Sequence, residues 1–454
     1  MIDVLILGGR YPDFESGTFI EANIGIKDGK IVYIGSETLP AYTTLDAIGK
    51  IVSPGFIDIH MHEENFAEEG KEYVISKMML RQGVTTCLGG NCGTLYQTLR
   101  EFKDTIAELG GAPVNYAMLT GYNWYRQSLG IGHYDKTTKE QRDIIRKRLK
   151  EDLREGAMGI SFGIEYDPGI TFDEIIYGTE CSDDSNLLIA AHYRSDCIGN
   201  VDSIKEMIDI QKNINKKFQI SHLSSCAAMG EMKDSLTLIN QAMEEDSRLN
   251  FDTYPYNAFS TYADSTVFED GCLEAWKKDY KDLMLTDEPY KNVYCTEKIF
   301  KEVKRKYPKM LVVAFVMNEE EIGQAVANPK GIIASDGIIN HGNGHPRAAG
   351  TFPRVLGRYV REQKRLSLLD ALKKMTIEPA KRINLGNRKG SIKIGADADI
   401  TIFDPETIVD GATYDNISIP PKGIEWVIVG GDIAVERNEI LSENSGRFIS
   451  YFEK

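Results

Sequence analysis

Gly55-Phe56-Ile57-Asp58-Ile59-His60-Met61-His62 is a short apolar segment that ends in two histidines. Its length and composition predict a buried β-strand. Residues two positions apart in a strand project from the same face, so the side chains of His60 and His62 can reach one metal ion. An isolated His-x-His is fairly common, and its meaning therefore depends on what the other strands carry at their ends.

The middle of the chain alternates between short apolar runs and helical patterns. Helical spacing is found over Glu68–Gln82, Thr94–Leu109 and Thr137–Glu155. The predicted strands are Gly55–His60, Val84–Leu88, Val114–Thr120, Ala157–Phe162, Leu187–Ala191, Phe218–Ser221, Asn250–Thr253 and Ile332–Ser335. Strands that alternate with helices form parallel sheets, and about eight such units favour a closed barrel. The sequence thus predicts an α/β protein with a TIM-like (β/α)8 barrel over residues 54–384.

The parts outside the predicted barrel are of two kinds. Short alternating β-rich runs occur at both ends: Val4–Leu7, Glu21–Lys27, Lys30–Gly35, Ser391–Ile394, Asp399–Phe403, Ile424–Val429 and Ile433–Val435. We therefore expect residues 1–53 and 385–454 to form one small β-sandwich domain. Residues from Phe259 to about Pro308 are too long for a simple loop and are predicted to be an inserted segment that covers the barrel mouth.

Composition and charge restrict the class of partner. The 454 residues include 53 Lys and Arg against 68 Asp and Glu, which gives a net charge of −15. That acidity argues against nucleic-acid binding, which needs a positive surface, and favours a protein that handles small molecules. No run approaches the ~20 apolar residues of a membrane span. Seven cysteines without paired spacing indicate a reducing compartment, so a cytoplasmic location is expected.

Residues able to bind a transition metal follow the predicted strands. They are His60, His62, Cys92, His192, His222 and Asp336. They lie at the carboxyl ends of strands, where barrel enzymes build their active sites. Each has an ordinary alternative, since a lone Cys92 could be an inert buried thiol and Asp336 a turn former. Four of the seven histidines fall at this face, however, and imidazole, thiolate and carboxylate ligands together predict Zn²⁺.

Several longer motifs resemble those of one enzyme family. The segment Val52–His62 is similar to the opening motif of the amidohydrolase superfamily. Other motifs resemble the N-acyl-D-amino-acid deacylases, or D-aminoacylases: Gly90-Asn91-Cys92-Gly93, Gly163–Gly169, His345-Pro346-Arg347, Gly350–Gly357, Gly395–Ile400 and Asp404-Pro405. The resemblance covers almost the whole chain. It implies the fold predicted above and the metal-dependent hydrolysis of a linear amide.

The resemblance also assigns roles to the metal-binding residues. It implies one metal position lined by His60, His62 and Asp336. It implies a second, tighter position lined by Cys92, His192 and His222. Cys92 takes the bridging role that a carboxylated lysine plays in many relatives, and one or two Zn²⁺ ions are expected. Zinc lowers the pKa of its bound water towards ~7, and Asp336 is expected to pass that water's proton to the departing amine.

A second set of residues is implied in substrate binding. Arg347 matches the arginine that binds the substrate carboxylate, with which a guanidinium pairs bidentately. On residue type alone, Arg347 could equally be a surface charge. Tyr166, Tyr254 and Ser260 match family positions near the substrate, and the tyrosines could also be core residues. The expected substrate is an N-acyl-D-amino acid, cleaved to a carboxylate and a free D-amino acid, whereas the oligomeric state is not predicted.

Two departures from the family pattern concern the substrate. Ser224 stands where the family often has a lysine that helps to hold the carboxylate. Gly121-Tyr122 stands where the family commonly has Gly-His, although Arg126 further along is kept. The missing positive charge at Ser224 leaves D-selectivity and side-chain preference open, whereas the hydrolytic chemistry is untouched.

Two other functions fit the same fold. A related amidohydrolase acting on a dipeptide or a cyclic amide would be isoaspartyl-dipeptidase-like or dihydropyrimidinase-like. Such an enzyme usually carries a lysine in the fourth strand, and Ala157-Met158-Gly159-Ile160-Ser161 has none. A non-catalytic scaffold, like the metal-free dihydropyrimidinase-related proteins, is expected to have lost metal ligands, and all six are present here.

Overall fold

The computed structural model describes residues 1–453 as an α/β protein in which both ends of the chain share one sheet. Within the described chain, this sheet has nine strands: Ile2–Asp13, Thr18–Lys27, Lys30–Gly35, Ala41–Asp46, Ile51–Pro54, Ile400–Phe403, Ile424–Val429, Asp432–Glu436 and Glu439–Ile440. Ile51–Pro54 joins the two ends, because it pairs in parallel with Ile2–Asp13 and in antiparallel with Ile400–Phe403. Side chains such as Ile24 and Ile402 form a separate apolar core on this sheet.

A second set of strands is parallel throughout. One group contains Phe56–Asp58, Val84–Gly89 and Asn115–Met118. The other contains Thr120–Gly121, Gly159–Gly163, Leu188–His192, Lys217–Ile220, Leu249–Thr253 and Ile332–Ile333. Backbone hydrogen bonds connect the groups, since Met158 N donates to Met118 O and Asp336 N donates to His60 O, each at 2.7 Å. The predicted alternation of strands and helices is confirmed.

Helices separate successive parallel strands along the chain. The longer ones are Ile75–Arg81, Leu99–Glu108, Tyr122–Ser128, Lys139–Glu155, Phe172–Thr179, Asn200–Asn213, Met232–Glu245, Glu297–Lys306, Glu319–Ala327, Arg347–Arg354 and Leu368–Met375. The shorter ones are Phe66–Glu69, Leu223–Ala227, Cys272–Trp276 and Ile377–Arg382, with 3₁₀ turns at Cys197–Gly199, Thr266–Phe268 and Tyr280–Asp282 and a π-helical segment at Val355–Glu362. Over residues 1–453, every helix is too short or too polar to cross a membrane.

The parallel strands are buried on both faces, which accounts for their apolar sequences. Phe162, Ile189, Phe218 and Phe251 are all completely buried. Strands covered on both faces have continuous apolar runs rather than alternating ones. Each such side chain contributes ~1.5–3 kcal/mol to stability when fully buried. The strand ends are therefore firmly held, and the polar residues that follow them are positioned by the core.

The predicted insertion contains a small antiparallel sheet. Its strands are Phe259–Tyr262, Leu283–Leu285 and Leu311–Ala314, with the last one in the centre. Leu311–Ala314 lies just beyond the predicted end of the insertion near residue 308. The hydroxyl groups of Tyr262 and Tyr96 lie 3.1 Å apart, which connects this sheet to the loop after Val84–Gly89. A separate hairpin pairs Ile339–Asn340 with Asn343–Gly344.

The single helix predicted over Glu68–Gln82 is wrong. The structure has a short helix at Phe66–Glu69 and a second helix at Ile75–Arg81. The second helix begins where the Glu64 carboxylate accepts a hydrogen bond from Ser76 N at 3.0 Å. This acceptor lies outside the periodic pattern, so spacing alone could not locate the helix start.

Two other predicted elements also need correction. The helix predicted over Thr94–Leu109 is Leu99–Glu108, because Thr98 starts it through a capping box. Ser391–Ile394 is not a strand. The residues after it meet Ile31 through isolated backbone hydrogen bonds, such as that from Gly395 N at 2.8 Å, rather than through a ladder.

Candidate active site

The six predicted metal-binding residues all follow parallel strands at the same end of the sheet. His60 and His62 come after Phe56–Asp58, and Cys92 comes after Val84–Gly89. His192 is the last residue of its strand, whereas His222 and Asp336 follow theirs by a few residues. The carboxyl ends of neighbouring parallel strands meet at one edge. All six residues are buried there, and we call them the donor cluster.

The donor atoms of this cluster fall into two overlapping groups. One group consists of His60, His62, Cys92 and Asp336, and the other of Cys92, His192 and His222; within each group the donor atoms all lie within 4.8 Å of one another. Cys92 belongs to both, with its Sγ 3.3 Å from His60 Nε2 and 3.3 Å from His222 Nε2. Asp336 Oδ1 lies 3.5 Å from Nε2 of both His60 and His62. Cys92 therefore lies between the other members of the two groups.

Three members of the donor cluster have a left-handed backbone. The φ angles are 54° at Cys92, 32° at His222 and 50° at Asp336. Residues other than glycine reach this region only at a cost of about 1–3 kcal/mol, and such residues concentrate at functional sites. Backbone hydrogen bonds hold two of them, from Asp336 N to His60 O at 2.7 Å and from His222 N to Asp252 Oδ1 at 2.8 Å.

Sequence reasoning missed the residues that orient the donor histidines. Asp252 Oδ1 lies 3.0 Å from His60 Nδ1, on the side of the ring away from Cys92. Ser225 Oγ lies 2.9 Å from His222 Nδ1 and orients that ring in the same way. Such contacts fix which nitrogen faces a metal. Asp252 is the last residue but one of the strand Leu249–Thr253, so its position near a strand end is a signal that the sequence offered, although its contact with His60 is not.

Asp58 and Glu165 are two further carboxylates that were missed. Asp58 Oδ1 accepts hydrogen bonds from His60 N at 3.1 Å and from Ser335 N at 3.0 Å. It therefore ties the strand that carries His60 to the strand that leads to Asp336. Glu165 Oε2 lies 2.7 Å from His192 Nε2. Both acids stand in motifs that were quoted from the sequence, but residue type and spacing did not indicate their contacts.

The charges in the donor cluster favour the metal-binding form of its two acidic ligands. Burial by itself raises the pKa of the Cys92 thiol, but His60 and His222 outweigh it and lower that pKa well below its ordinary value. Burial also acts to raise the pKa of Asp336, but Arg347 and His222 hold that pKa well below its usual range. Thiolate and carboxylate are the forms that coordinate metals.

The donor cluster fits a zinc site. The Nδ1 atoms of His62 and His192 are buried, and neither has a hydrogen-bond partner among residues 1–453. Burying a nitrogen without a hydrogen-bond partner costs free energy, unless a ligand binds to that nitrogen. Imidazole nitrogens, a thiolate and a carboxylate are the ligands that zinc takes in proteins. The chemistry of the donors and their unpaired atoms therefore both agree with a bound metal.

A small cavity opens beside the donor cluster, and we call it the reaction cavity. His192, His222 and Asp336 lie on its wall. Of the predicted substrate residues, Tyr166 and Ser260 line it directly. Tyr254 and Arg347 are not on its wall but are buried next to Asp336.

Arg347 lies directly behind Asp336. Its Nη1 is 2.9 Å from Asp336 Oδ2, and its Nη2 donates to Ser260 O at 3.1 Å. The guanidinium stacks on the Tyr254 ring at 4.7 Å. Its Nε is buried and has no hydrogen-bond partner within the described part of the chain. Arg347 is thus a buried cation with a spare donor, and not a surface charge.

The two departures from the family pattern are buried structural residues. Ser224 Oγ hydrogen-bonds the Thr253 hydroxyl and the Tyr254 carbonyl at 3.2 Å, and the residue is completely buried. Tyr122 donates to Glu174 Oε1 at 3.1 Å. Neither position supplies a charge to the reaction cavity.

Two curated proteins resemble this chain over nearly its full length. A D-aminoacylase of Alcaligenes xylosoxydans xylosoxydans is 29% identical over 99% of this chain and 97% of its own length. An N-acyl-D-glutamate deacylase of the same organism is 29% identical over 95% of this chain and 93% of its own length.

Solved structures of similar proteins share the fold. The N-acyl-D-glutamate deacylase of Bordetella bronchiseptica, complexed with zinc and a phosphonate inhibitor, has a TM-score of 0.87 at 27% identity and covers 98% of this chain and 99% of that one. A D-aminoacylase crystal structure has a TM-score of 0.88 at 27% identity and covers 99% of each chain. Residues 51–434, which are most of the sequence, match the amidohydrolase family. The predicted resemblance is confirmed, and the chain belongs to the amidohydrolase family.

Proposed function

We propose that this chain is a zinc-dependent hydrolase that cleaves an N-acyl-D-amino acid to a carboxylate and a free D-amino acid. The observation that carries the proposal is the convergence of six donors with Cys92 shared between two groups. Full-length similarity to D-aminoacylases supports the substrate class.

We also propose a division of the chain. Residues 54–384 form a closed (β/α)8 barrel, with an insertion at about 259–308 over its mouth. In support, hydrogen bonds join the first and last parallel strands, from Asp336 N to His60 O and from His62 N to Gly337 O at 2.8 Å. Residues 1–53 and 385–454 form a small β-sandwich domain, in line with their shared sheet. The unpaired cysteines of the described chain agree with a cytoplasmic location.

The donor cluster would hold one or two zinc ions. His60, His62 and Asp336 provide one position, and Cys92, His192 and His222 provide the other. When bound, zinc supplies Lewis acidity that polarises an amide carbonyl and lowers the pKa of water. Asp252 keeps His60 oriented towards the first position, and Ser225 keeps His222 oriented towards the second.

Asp336 is the proposed proton carrier. Its carboxylate takes a proton from the attacking water as the water oxygen bonds to the amide carbon. The same carboxylate then gives that proton to the amide nitrogen as the C–N bond breaks, so the amine leaves neutral. General acid–base catalysis of this kind contributes about 10²–10⁴ to a rate. Arg347, 2.9 Å away, keeps Asp336 ionised between turnovers.

Arg347 is the proposed binding site for the substrate carboxylate. Its unpaired Nε and the unpaired Ser260 Oγ are both buried, so both are available to an incoming carboxylate. Tyr254 holds the guanidinium plane by stacking. Tyr166 lies against His192, with the ring centres 4.5 Å apart, and forms the adjoining wall.

The test is amine release from paired N-acetyl-D- and N-acetyl-L-amino acids by protein that has been stripped of metal and then given zinc. We expect hydrolysis of D-derivatives that requires zinc. Hydrolysis of L-derivatives only, or of cyclic amides only, would overturn the proposed substrate class. An absence of any zinc-dependent hydrolysis would overturn the proposal as a whole.

A further inference from the structure

Two carboxylates line the reaction cavity without a lysine or arginine partner. Glu165 and Asp196 line the cavity together with His192, His222 and Asp336. Within the described chain, no lysine or arginine is on the cavity wall, and neither acid forms an ion pair with one. We call the part of the cavity wall that carries Glu165 and Asp196 the acidic wall.

Each of these acids is held in place through one oxygen. Glu165 Oε2 lies 2.7 Å from His192 Nε2, and its side chain is only 13% exposed. Asp196 Oδ2 accepts a hydrogen bond from Trp276 Nε1 at 2.8 Å. No hydrogen bond is formed by Glu165 Oε1 or by Asp196 Oδ1 with residues 1–453. Both carboxylates thus have an oxygen available to a ligand.

The two acids line the same small cavity, so their negative charges repel each other when both are ionised. Carboxylates that share a site resist ionising together, and a cation between them removes that penalty. A neutral or anionic ligand would leave the penalty in place.

Ser260 gives a separate indication of a polar ligand. Its Oγ is buried, points to the same cavity and has no hydrogen-bond partner among the described residues. The residue is 6% exposed. The reaction cavity therefore presents an unpaired hydroxyl, on a residue that Arg347 contacts, together with two acids.

We propose that the substrate carries an ammonium group that lies between Glu165 and Asp196. This inference rests on the proposed function and specifies its substrate class. With the carboxylate at Arg347 and the amide at the donor cluster, the acidic wall is left for the side chain or for the acyl group. The ammonium would then belong to a basic D-amino acid, or to an aminoacyl group in a dipeptide with a C-terminal D-residue. The anionic side chain of an N-acyl-D-glutamate would be repelled here.

The first experiment compares kcat/KM for pairs of substrates that differ by one ammonium group. N-acetyl-D-lysine and N-acetyl-D-norleucine differ by the terminal ammonium of the side chain. Glycyl-D-norleucine and N-acetyl-D-norleucine differ by an ammonium on the acyl side. We expect one ammonium substrate to exceed the neutral one by about tenfold or more, the size of a charge-assisted hydrogen bond. N-acetyl-D-glutamate should be the poorest substrate.

The second experiment removes the charges. Asp196→Asn keeps an oxygen for Trp276, and Glu165→Gln keeps one for His192. Each variant should reduce the preference for the ammonium substrate by about tenfold. Asp202→Asn is the matched control, because its side chain is 88% exposed on the neighbouring helix, and it should keep the wild-type ratio. Calorimetric binding of D-lysine against D-norleucine reports the same preference without turnover.

Two outcomes would overturn the inference. One is a wild-type ratio at or below unity for both ammonium substrates, and the other is an unchanged ratio in both acid variants. These outcomes differ from a failure of the proposed function, in which zinc-loaded protein hydrolyses no D-derivative at all.

Discussion

Sequence motifs point to two clusters of charged residues in this molecule. The two clusters are built in opposite ways. The donor cluster has buried nitrogens without partners and a left-handed backbone at Cys92, His222 and Asp336. The other is centred on Asp397 and Asp399 of the motif Gly395–Ile400, and we call it the tail cluster; it also contains Lys30, Arg388 and Lys389.

Every carboxylate of the tail cluster has its own partners. Lys389 Nζ contacts Asp399 and lies 3.2 Å from Asp397 Oδ2. Asp399 also accepts hydrogen bonds from Gly430 N at 2.8 Å and Asn115 Nδ2 at 3.2 Å. Asn115 belongs to a parallel strand, so the tail cluster fastens the terminal sheet to the rest of the chain. A buried charged group that has partners within the protein supports the fold. A buried polar group that lacks such a partner is available to a ligand.

The largest effect is expected from Asp336→Asn in the donor cluster. The substitution removes the proton acceptor but keeps the size of the side chain, so kcat should fall by about 10²–10⁴. Amine release and zinc content should be measured on the same sample. A slow variant with normal zinc content assigns the loss to proton transfer. Near-normal kcat would contradict the role of Asp336.

Lys389→Met should affect stability and not chemistry. It leaves Asp397 and Asp399 buried with less positive charge, and breaking a buried pair in this way costs about 3–5 kcal/mol. Thermal unfolding measures the loss, and the activity of the remaining folded protein should be retained. Lys30→Met is the matched control, because Lys30 is 43% exposed and an exposed pair is worth about 0–1 kcal/mol. Equal losses of stability in both variants would contradict the distinction between the buried Lys389 and the exposed Lys30.

A smaller effect is expected from Lys374, a buried charge that belongs to neither cluster. Its Nζ donates to the carbonyls of Val326, at 2.7 Å, and Asn328, and burial lowers its pKa to about 7. Between pH 7 and the ordinary lysine pKa of about 10.4, the unfolded chain binds a proton that the folded chain lacks. This lysine therefore adds stability as the pH rises through that window.

Melting curves of the wild type and Lys374→Met test this directly. The melting temperature of the wild type relative to the variant should increase from pH 7 to pH 10. A difference that stays constant over this range would contradict the lowered pKa of the buried Lys374.

The donors could be predicted from the sequence because strand ends converge in a parallel sheet. His60, His192 and Asp336 are far apart along the chain, yet their common position after apolar runs was sufficient to group them. The contacts that orient them could not be predicted in this way. Asp252 and Glu165 act through distances of 3.0 and 2.7 Å to histidines on other strands, which no local pattern encodes.

The same limit explains the errors in the fold. The helix start at Ile75 depends on Glu64, and the loss of the strand at Ser391–Ile394 depends on how the chain meets Ile31. Both depend on contacts between chain segments whose distance in space the sequence does not reveal. A local capping box at Thr138 agrees closely with the predicted start at Thr137 for the helix Lys139–Glu155, whereas the equally local capping box at Thr98 was overlooked.

The central claim is that Cys92 and the five residues around it hold zinc. The most direct measurement is the zinc content per chain of the wild type, Cys92→Ala and Cys87→Ala, together with amine release. Cys87 is an equally buried thiol in the strand that precedes Cys92, with no place in the donor cluster. We predict that Cys92→Ala loses zinc and at least about 100-fold in activity, while Cys87→Ala keeps both. Full zinc content and activity in Cys92→Ala would contradict the account.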